Sequence, residues 1–199
     1  MPARSSPPIT ASQNRPFTTA PTTASTIQIA TSHGVGPPST VAGLAALGFA
    51  REAGELHQEG LALLNLGVEA HLRGRWSEAV DRYSAAVDAL TRSGDETYAA
   101  VPANNAGELL ADQGDYVAAR VAYSRAEAIW KGSRFQVGLA VASLNLGIID
   151  GRERRWEQSE QRLTDARARF EAIGSDRYVH ETRVRLAEAA MLAGRSTDA

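Results

Sequence analysis

The letters Leu-Asn-Leu-Gly stand at residues 64–67 and again at residues 144–147, and a looser copy, Asn104, Asn105, Ala106 and Gly107, lies midway between them. This constant forty-residue step constrains the fold more than any composition does. A chain that repeats itself at a period of roughly 20–50 residues folds as a stack of like units, each burying its apolar face on the next. Further columns keep the same step. Gly74, Gly114 and Gly194 share one that Arg154 interrupts. Trp76, Tyr116 and Trp156 follow two residues later, with Ser196 the exception. Ala79, Ala119, Ser159 and Ala199 make a small column, Tyr83, Tyr123 and Leu163 a bulky one, and Ala86, Ala126 and Ala166 a second small one.

Within a unit the spacing is helical. Trp76, Ala79, Tyr83, Ala86 and Leu90 step by three and four, as do Tyr116 to Trp130 and Trp156 to Phe170 in the next two copies, and each set makes one apolar stripe. A second helical segment precedes each glycine turn, with Leu63, Leu66 and Ala70 in the first copy and Leu144, Leu146 and Ile149 in the third. Each unit is therefore predicted to be a helix, a tight turn and a helix. Two helices approach closely only where one offers Gly or Ala, which puts Gly67, Ala79 and Ala86 at the crossing. Leu66, Trp76 and Tyr83 are expected to fill the space beside it, and by the same spacing Trp130 and Trp156 are core. Glycine inside a helix costs about 1 kcal/mol relative to alanine, so three in one register imply a packing reason.

These residues resemble the tetratricopeptide repeat family. Leu66-Gly67, then Ala79, Tyr83 and Ala86, stand at the spacings of its Leu-Gly, Ala, Phe/Tyr and Ala signature, and the pattern returns after Gly107 and after Gly147. Leu63, Ala103 and Ser143 replace the usual tryptophan. The period is forty instead of the commoner thirty-four, with the six extra residues expected after the second helix. Units of this length are similar to those of kinesin light chains, of MalT-like regulators and of the C-terminal arms of class III nucleotide cyclases carrying an ATPase module.

The resemblance implies an all-α fold, a right-handed superhelix or α-solenoid, whose first helices line a concave groove. That groove would hold Asn65, Asn105 and Asn145, since asparagines at the matching position in kinesin light chains grip the backbone of an extended peptide. Asn104, Glu108, Ala111 and Asp112 would share it, with Arg152, Glu181, Arg185 and Glu188 further along. The competing reading is that each asparagine bonds a neighbouring helix and fixes packing. Lysines and arginines of a carboxylate clamp are missing from the first two units, which disfavours a C-terminal carboxylate ligand. The implied work is binding a peptide or partner domain in signalling or regulation, without catalysis and without a cofactor. The alternative is a regulatory or sensory arm of a larger nucleotide cyclase or ATPase-type transcriptional regulator.

Residues 1–40 hold seven prolines and fourteen serines plus threonines, and the first acidic residue of the chain is Glu52. The segment is expected to be a disordered tail. Arg4 and Arg15 without acids also suit a transit peptide, against which stand Pro7, Pro8, Pro16 and Pro21. The array covers 41–199: a half repeat at 41–56, repeats at about 57–95, 96–134 and 135–174, and a half repeat at 175–199. Leu186, Ala190 and Leu192 then have no mate. This leads to the expectation that the chain is a piece of a longer array, or that it docks or self-associates through its C-terminal helix.

Other classes of function find little support. Cysteine is absent, which removes thiol chemistry and fits a reducing, cytoplasmic setting. The longest apolar run, 41–50, is too short to span a bilayer, and no basic cluster precedes an apolar core at the start. A net charge of −2 gives no polyanion-seeking field, and the nine arginines from Arg152 to Arg185 are interleaved with seven acids, so nucleic acid is not an expected partner. His33, His57, His71 and His180 have no metal spacing, and His57 and His71 read as satisfied surface residues. Gly34-Val35-Gly36-Pro37 lacks the strand and helix of a phosphate loop.

Overall fold

The computed structural model describes residues 40–194. The tail with its targeting reading, His33, Ser196 and Ala199 lie outside the described residues. Eight helices follow one another: α1 (Thr40–Ala53), α2 (Leu56–Leu72), α3 (Trp76–Arg92), α4 (Glu96–Asp112), α5 (Tyr116–Ser133), α6 (Gln136–Arg152), α7 (Trp156–Ala172) and α8 (Asp176–Leu192). The described residues contain no strand. The fold is an all-α solenoid of antiparallel helix pairs, α2 with α3, α4 with α5 and α6 with α7.

The turns set its rhythm. Gly54, Gly74, Gly94, Gly114, Gly174 and Gly194 all have positive φ, and Arg134 and Arg154 take the same left-handed conformation at φ 57° and 60°. These eight positions are spaced by twenty residues, so the forty-residue period is twice a helix plus its turn. At the first seven of them, the residue that follows donates its N–H to a carbonyl five back, as Arg75 does to Ala70 at 2.8 Å and Asp95 to Leu90 at 3.0 Å. This closure satisfies carbonyls that a helix end leaves open. No long loop holds the six extra residues. They are helix, since α3 runs to Arg92 and α4 begins at Glu96, leaving Ser93, Gly94 and Asp95 as the whole connection. The Asp95 carboxylate caps α4 by accepting from the Tyr98 N–H at 3.0 Å, and Asp115 caps α5 on Ala118 in the same way.

The glycines inside the first helices have the predicted packing cause. A Cβ on Gly67 would lie 2.7 Å from the Tyr83 ring, one on Gly107 2.8 Å from the Tyr123 ring, and one on Gly147 2.9 Å from Leu163. The three positions share one environment: each is pressed by the bulky residue sixteen places on. Ala79, Ala86, Tyr83 and Leu90 are buried as expected, as are Trp130 and Leu66. Trp76 is not core. It opens α3 with 44% of its surface exposed, and Trp156, at the same place in α7, is only half-buried. One continuous core joins Leu47 of α1 to Ala189 of α8.

Neighbour contacts define two layers. The first helices touch each other, α2 with α4, α4 with α6 and α6 with α8, whereas no second helix among α1, α3, α5 and α7 approaches another. The first helices thus form a close inner layer and the second helices a splayed outer one. Pro102 sits inside α4 without ending it, although its ring leaves the Tyr98 carbonyl without the usual donor.

Candidate functional site

The asparagine column starts at α2, where Asn65 is half-buried. In α4 and α6 it is sealed. Asn104, Asn105, Glu108 and Asn145 have at most 1% of their surface exposed, so their polar groups face the interior and not a groove. The Asn145 amide donates to Asn104 Oδ1 at 3.3 Å and to Glu108 Oε1 at 3.2 Å, and the Asn104 amide reaches Glu108 Oε1 at 3.4 Å. These bonds tie α4 to α6. The expectation of an accessible amide ladder is corrected at Asn105 and Asn145, and that of a groove position at Asn104 and Glu108; the packing reading fits Asn145, whose amide bonds α4. Neither polar atom of Asn105 meets a hydrogen-bond partner within the described residues, nor does Asn145 Oδ1.

Glu108 places negative charge among three tyrosines. Burial pushes the Tyr83 phenol far above its usual range, and the Glu108 charge adds to this while Asn105 opposes it. Tyr123 is raised by burial and then by Glu108 and Asp112, against the pull of Arg152. Tyr178 is raised by burial first, with Arg177 lowering it and Glu108 and Glu181 raising it. All three phenols stay protonated at neutral pH.

The rest of the expected groove is divided. Ala111 is buried, Asp112, Arg152 and Glu181 are half-buried, and Glu188 is exposed. His71 is interior and not a surface residue: its Nε2 lies 3.3 Å from Asp112 Oδ2 and its Nδ1 3.5 Å from the Tyr83 hydroxyl, linking α2, α3 and α4. His57 is half-buried, 3.5 Å from Asp95 and edge-on to Tyr98. Arg152 donates to the Tyr116 hydroxyl at 3.2 Å. Arg185, half-buried, donates to Glu188 at 3.0 Å. Arg152, Arg185 and Glu188 edge a cleft with Trp156 and Leu192 of about 40 Å³, room for a few waters and not for a peptide side chain.

The splayed outer layer leaves more room. Between α5 and α7, over α6, lies an open groove of about 810 Å³. Ser124, Glu127 and Lys131 form one wall, Gln158, Gln161, Arg162, Asp165 and Arg169 the other, and Leu139 and Ser143 the floor. Arg162 spans it at 3.4 Å from Glu127 and also reaches Asp150 at 3.4 Å. Asp165 accepts from Ser143 and from Arg169, each at 2.7 Å. Burial pushes the Asp165 carboxyl up, but those two hydrogen bonds with the charges of Arg169 and Arg162 bring it below the usual range. Lys131 has no ion-pair partner among the described residues. Sequence reading took this arginine-rich stretch as a solvated surface. The missed signal was register, since 124, 127 and 131 step along one helix as 158, 161, 165 and 169 do along the next.

One end of that groove rests on a carboxylate hub. Asp150, almost wholly buried, accepts from Arg120 at 2.8 Å and Arg155 at 2.9 Å, and both arginines also bond Glu153. Desolvation still holds Asp150 above the usual carboxylate range, against the lowering effect of Arg120 and Arg162. The described residues contain no cluster of His, Asp and Glu placed to hold a metal ion, and no described helix is long and apolar enough to cross a membrane. No family model matches the chain, and no curated protein matches it.

Proposed function

We propose that this chain is a protein-binding scaffold of the tetratricopeptide-like kind, seating an extended peptide segment of mixed charge in the groove between α5 and α7. The observation that carries this reading is the groove itself: about 810 Å³ of open space walled by helices, with both charge signs and the neutral amides of Gln158 and Gln161 along it. An extended backbone needs donors and acceptors in alternation, and glutamine supplies both. The resemblance to peptide-binding repeats supports the same class of function, while the burial of Asn105 and Asn145 favours the outer layer over the inner one as the seat.

Peptides selected from a displayed random library on the full chain, then titrated against variants, test the reading. The double change Lys131→Glu and Gln161→Glu is expected to weaken them at least about tenfold, on the order of 1.4 kcal/mol. Asn105→Ala should leave affinity unchanged. The opposite pattern would return the seat to the inner layer, and selection of no peptide at all would set the proposal aside.

A further inference from the structure

Among the described residues, the first and last helices each lack the partner that their counterparts have. In register, α8 is a first helix. His180, Val184, Ala187 and Met191 stand where α2 has Gly60, Leu64, Gly67 and His71, α4 has Ala100, Asn104, Gly107 and Ala111, and α6 has Ala140, Leu144, Gly147 and Gly151. All twelve of those counterparts are buried, whereas all four residues of α8 are exposed, Val184 at 56% and Met191 at 70%. They form one stripe, the face that α2, α4 and α6 turn to the second helix following them.

At the other end α1 is a second helix with no first helix before it among the described residues. Ala46 matches Ala86, Ala126 and Ala166, all fully buried, yet it is exposed. Phe49 matches the buried Ala89 and is 72% exposed. Apart from Arg51 and Glu52 near its end, α1 carries no charge.

The two bare faces are complementary in type, one belonging to a first helix and the other to a second helix. Inside each internal pair a glycine meets a large side chain: Gly67 with Tyr83, Gly107 with Tyr123, Gly147 with Leu163. At the ends α8 offers Ala187 in the glycine place, while the residue of α1 in the tyrosine place, Gly43, is buried against Leu66 of α2. In α2 and α3 the bulky residue beyond that contact is His71, whose ring faces Tyr83 at 6.4 Å. Met191 stands in its column and, being long and unbranched, adapts to an uneven apolar surface.

We propose that the chain associates head to tail: α1 of one copy docks on the bare face of α8 of another, completing a helix pair of the kind already repeated three times within the chain. Such an interface is heterologous, so assembly continues the solenoid instead of closing a two-fold dimer.

Sedimentation of the full chain from about 1 µM to about 1 mM should show an average mass rising from the monomer value of 21.2 kDa through successive multiples. Ala46→Arg, which spoils only the α1 face, and Val184→Asp, which spoils only the α8 face, should each hold the chain at monomer mass. An equimolar mixture of the two should reach twice that mass and stop, because each variant retains the face the other has lost. Phe49→Glu and Met191→Asp repeat the design at independent exposed positions, with circular dichroism to confirm that helix content is kept. A wild-type chain that stays monomeric throughout would overturn the proposal, whether a segment of its own chain covers the faces or nothing does. So would an Ala46→Arg chain that self-associates, which is the signature of an α8-to-α8 dimer, or a mixture that remains monomeric.

Discussion

At residue scale the turns show what a single position costs. Six of the eight left-handed turn positions are glycine, and the other two are Arg134 and Arg154, both with exposed side chains. A residue with a Cβ in this conformation is disfavoured by about 1 kcal/mol or somewhat more, and Arg154 makes no ion pair among the described residues to offset it. Arg154→Gly is therefore expected to stabilise the chain by about 1 kcal/mol, less a small loss from greater unfolded-state freedom. Urea unfolding checks this as a higher midpoint with an unchanged slope. Asp165 gives a prediction in pH. Its folded pKa lies below the usual carboxylate value, so the charged form is favoured by folding; that contribution is present above the unfolded pKa of about 4 and disappears as pH falls through the folded one. Its side chain is 45% exposed, so Asp165→Asn should cost only about 0.5–1 kcal/mol at pH 7. The penalty should shrink as pH falls through the folded pKa, and equal destabilisation at pH 7 and in acid would refute the ionic account.

At the scale of the element, α4 departs from its neighbours. Pro102 occupies the column held by Ala62 in α2 and Ala142 in α6, and a proline inside a helix commonly costs about 3 kcal/mol by losing one hydrogen bond and crowding the preceding turn. Pro102 is buried between helices, so packing recovers part of this. Pro102→Ala should raise stability by about 1–3 kcal/mol, read by thermal or denaturant unfolding, and a destabilised variant would mean that the ring fills space an alanine leaves empty. Helix identity and partner choice were legible in the sequence because Gly67, Gly107 and Gly147 keep a fixed offset to Tyr83, Tyr123 and Leu163, and that offset is itself the contact. Exposure was less legible. Asn65 and Asn105 share a column, yet only Asn105 is sealed, because α4 lies between α2 and α6 whereas α2, among the described residues, has a first-helix neighbour on one side alone. Register along one chain does not encode how tightly a layer closes. For the same reason the outer groove went unseen, since it exists only because second helices do not touch. Trp76 read as core from its spacing, but as the opening residue of α3 it projects past the end of the crossing.

The whole molecule behaves as a row of neighbours. Each helix touches the next, first helices also touch across one unit, and no contact between described helices reaches further, so stability should be close to a sum of local and nearest-neighbour terms. Burial is uneven along the row: α6 has twelve buried residues and α8 two. Amide hydrogen exchange at low concentration should therefore be slowest in α4 and α6 and fastest in α1 and α8, where opening exposes the least apolar surface. Leu163→Ala sharpens the expectation. It removes a fully buried side chain of α7 that packs on Gly147 of α6, a truncation that costs about 2–5 kcal/mol. In a row with only short-range coupling the loss should fall mainly on α6, α7 and α8, with protection in α2 and α3 changed much less. Equal loss in every helix would mean that the solenoid unfolds as one cooperative block, and the nearest-neighbour picture would fail. The same measurement at high concentration separates an intrinsic property of the ends from one set by assembly: protection at α1 and α8 should rise together in the wild-type chain and stay low in Ala46→Arg.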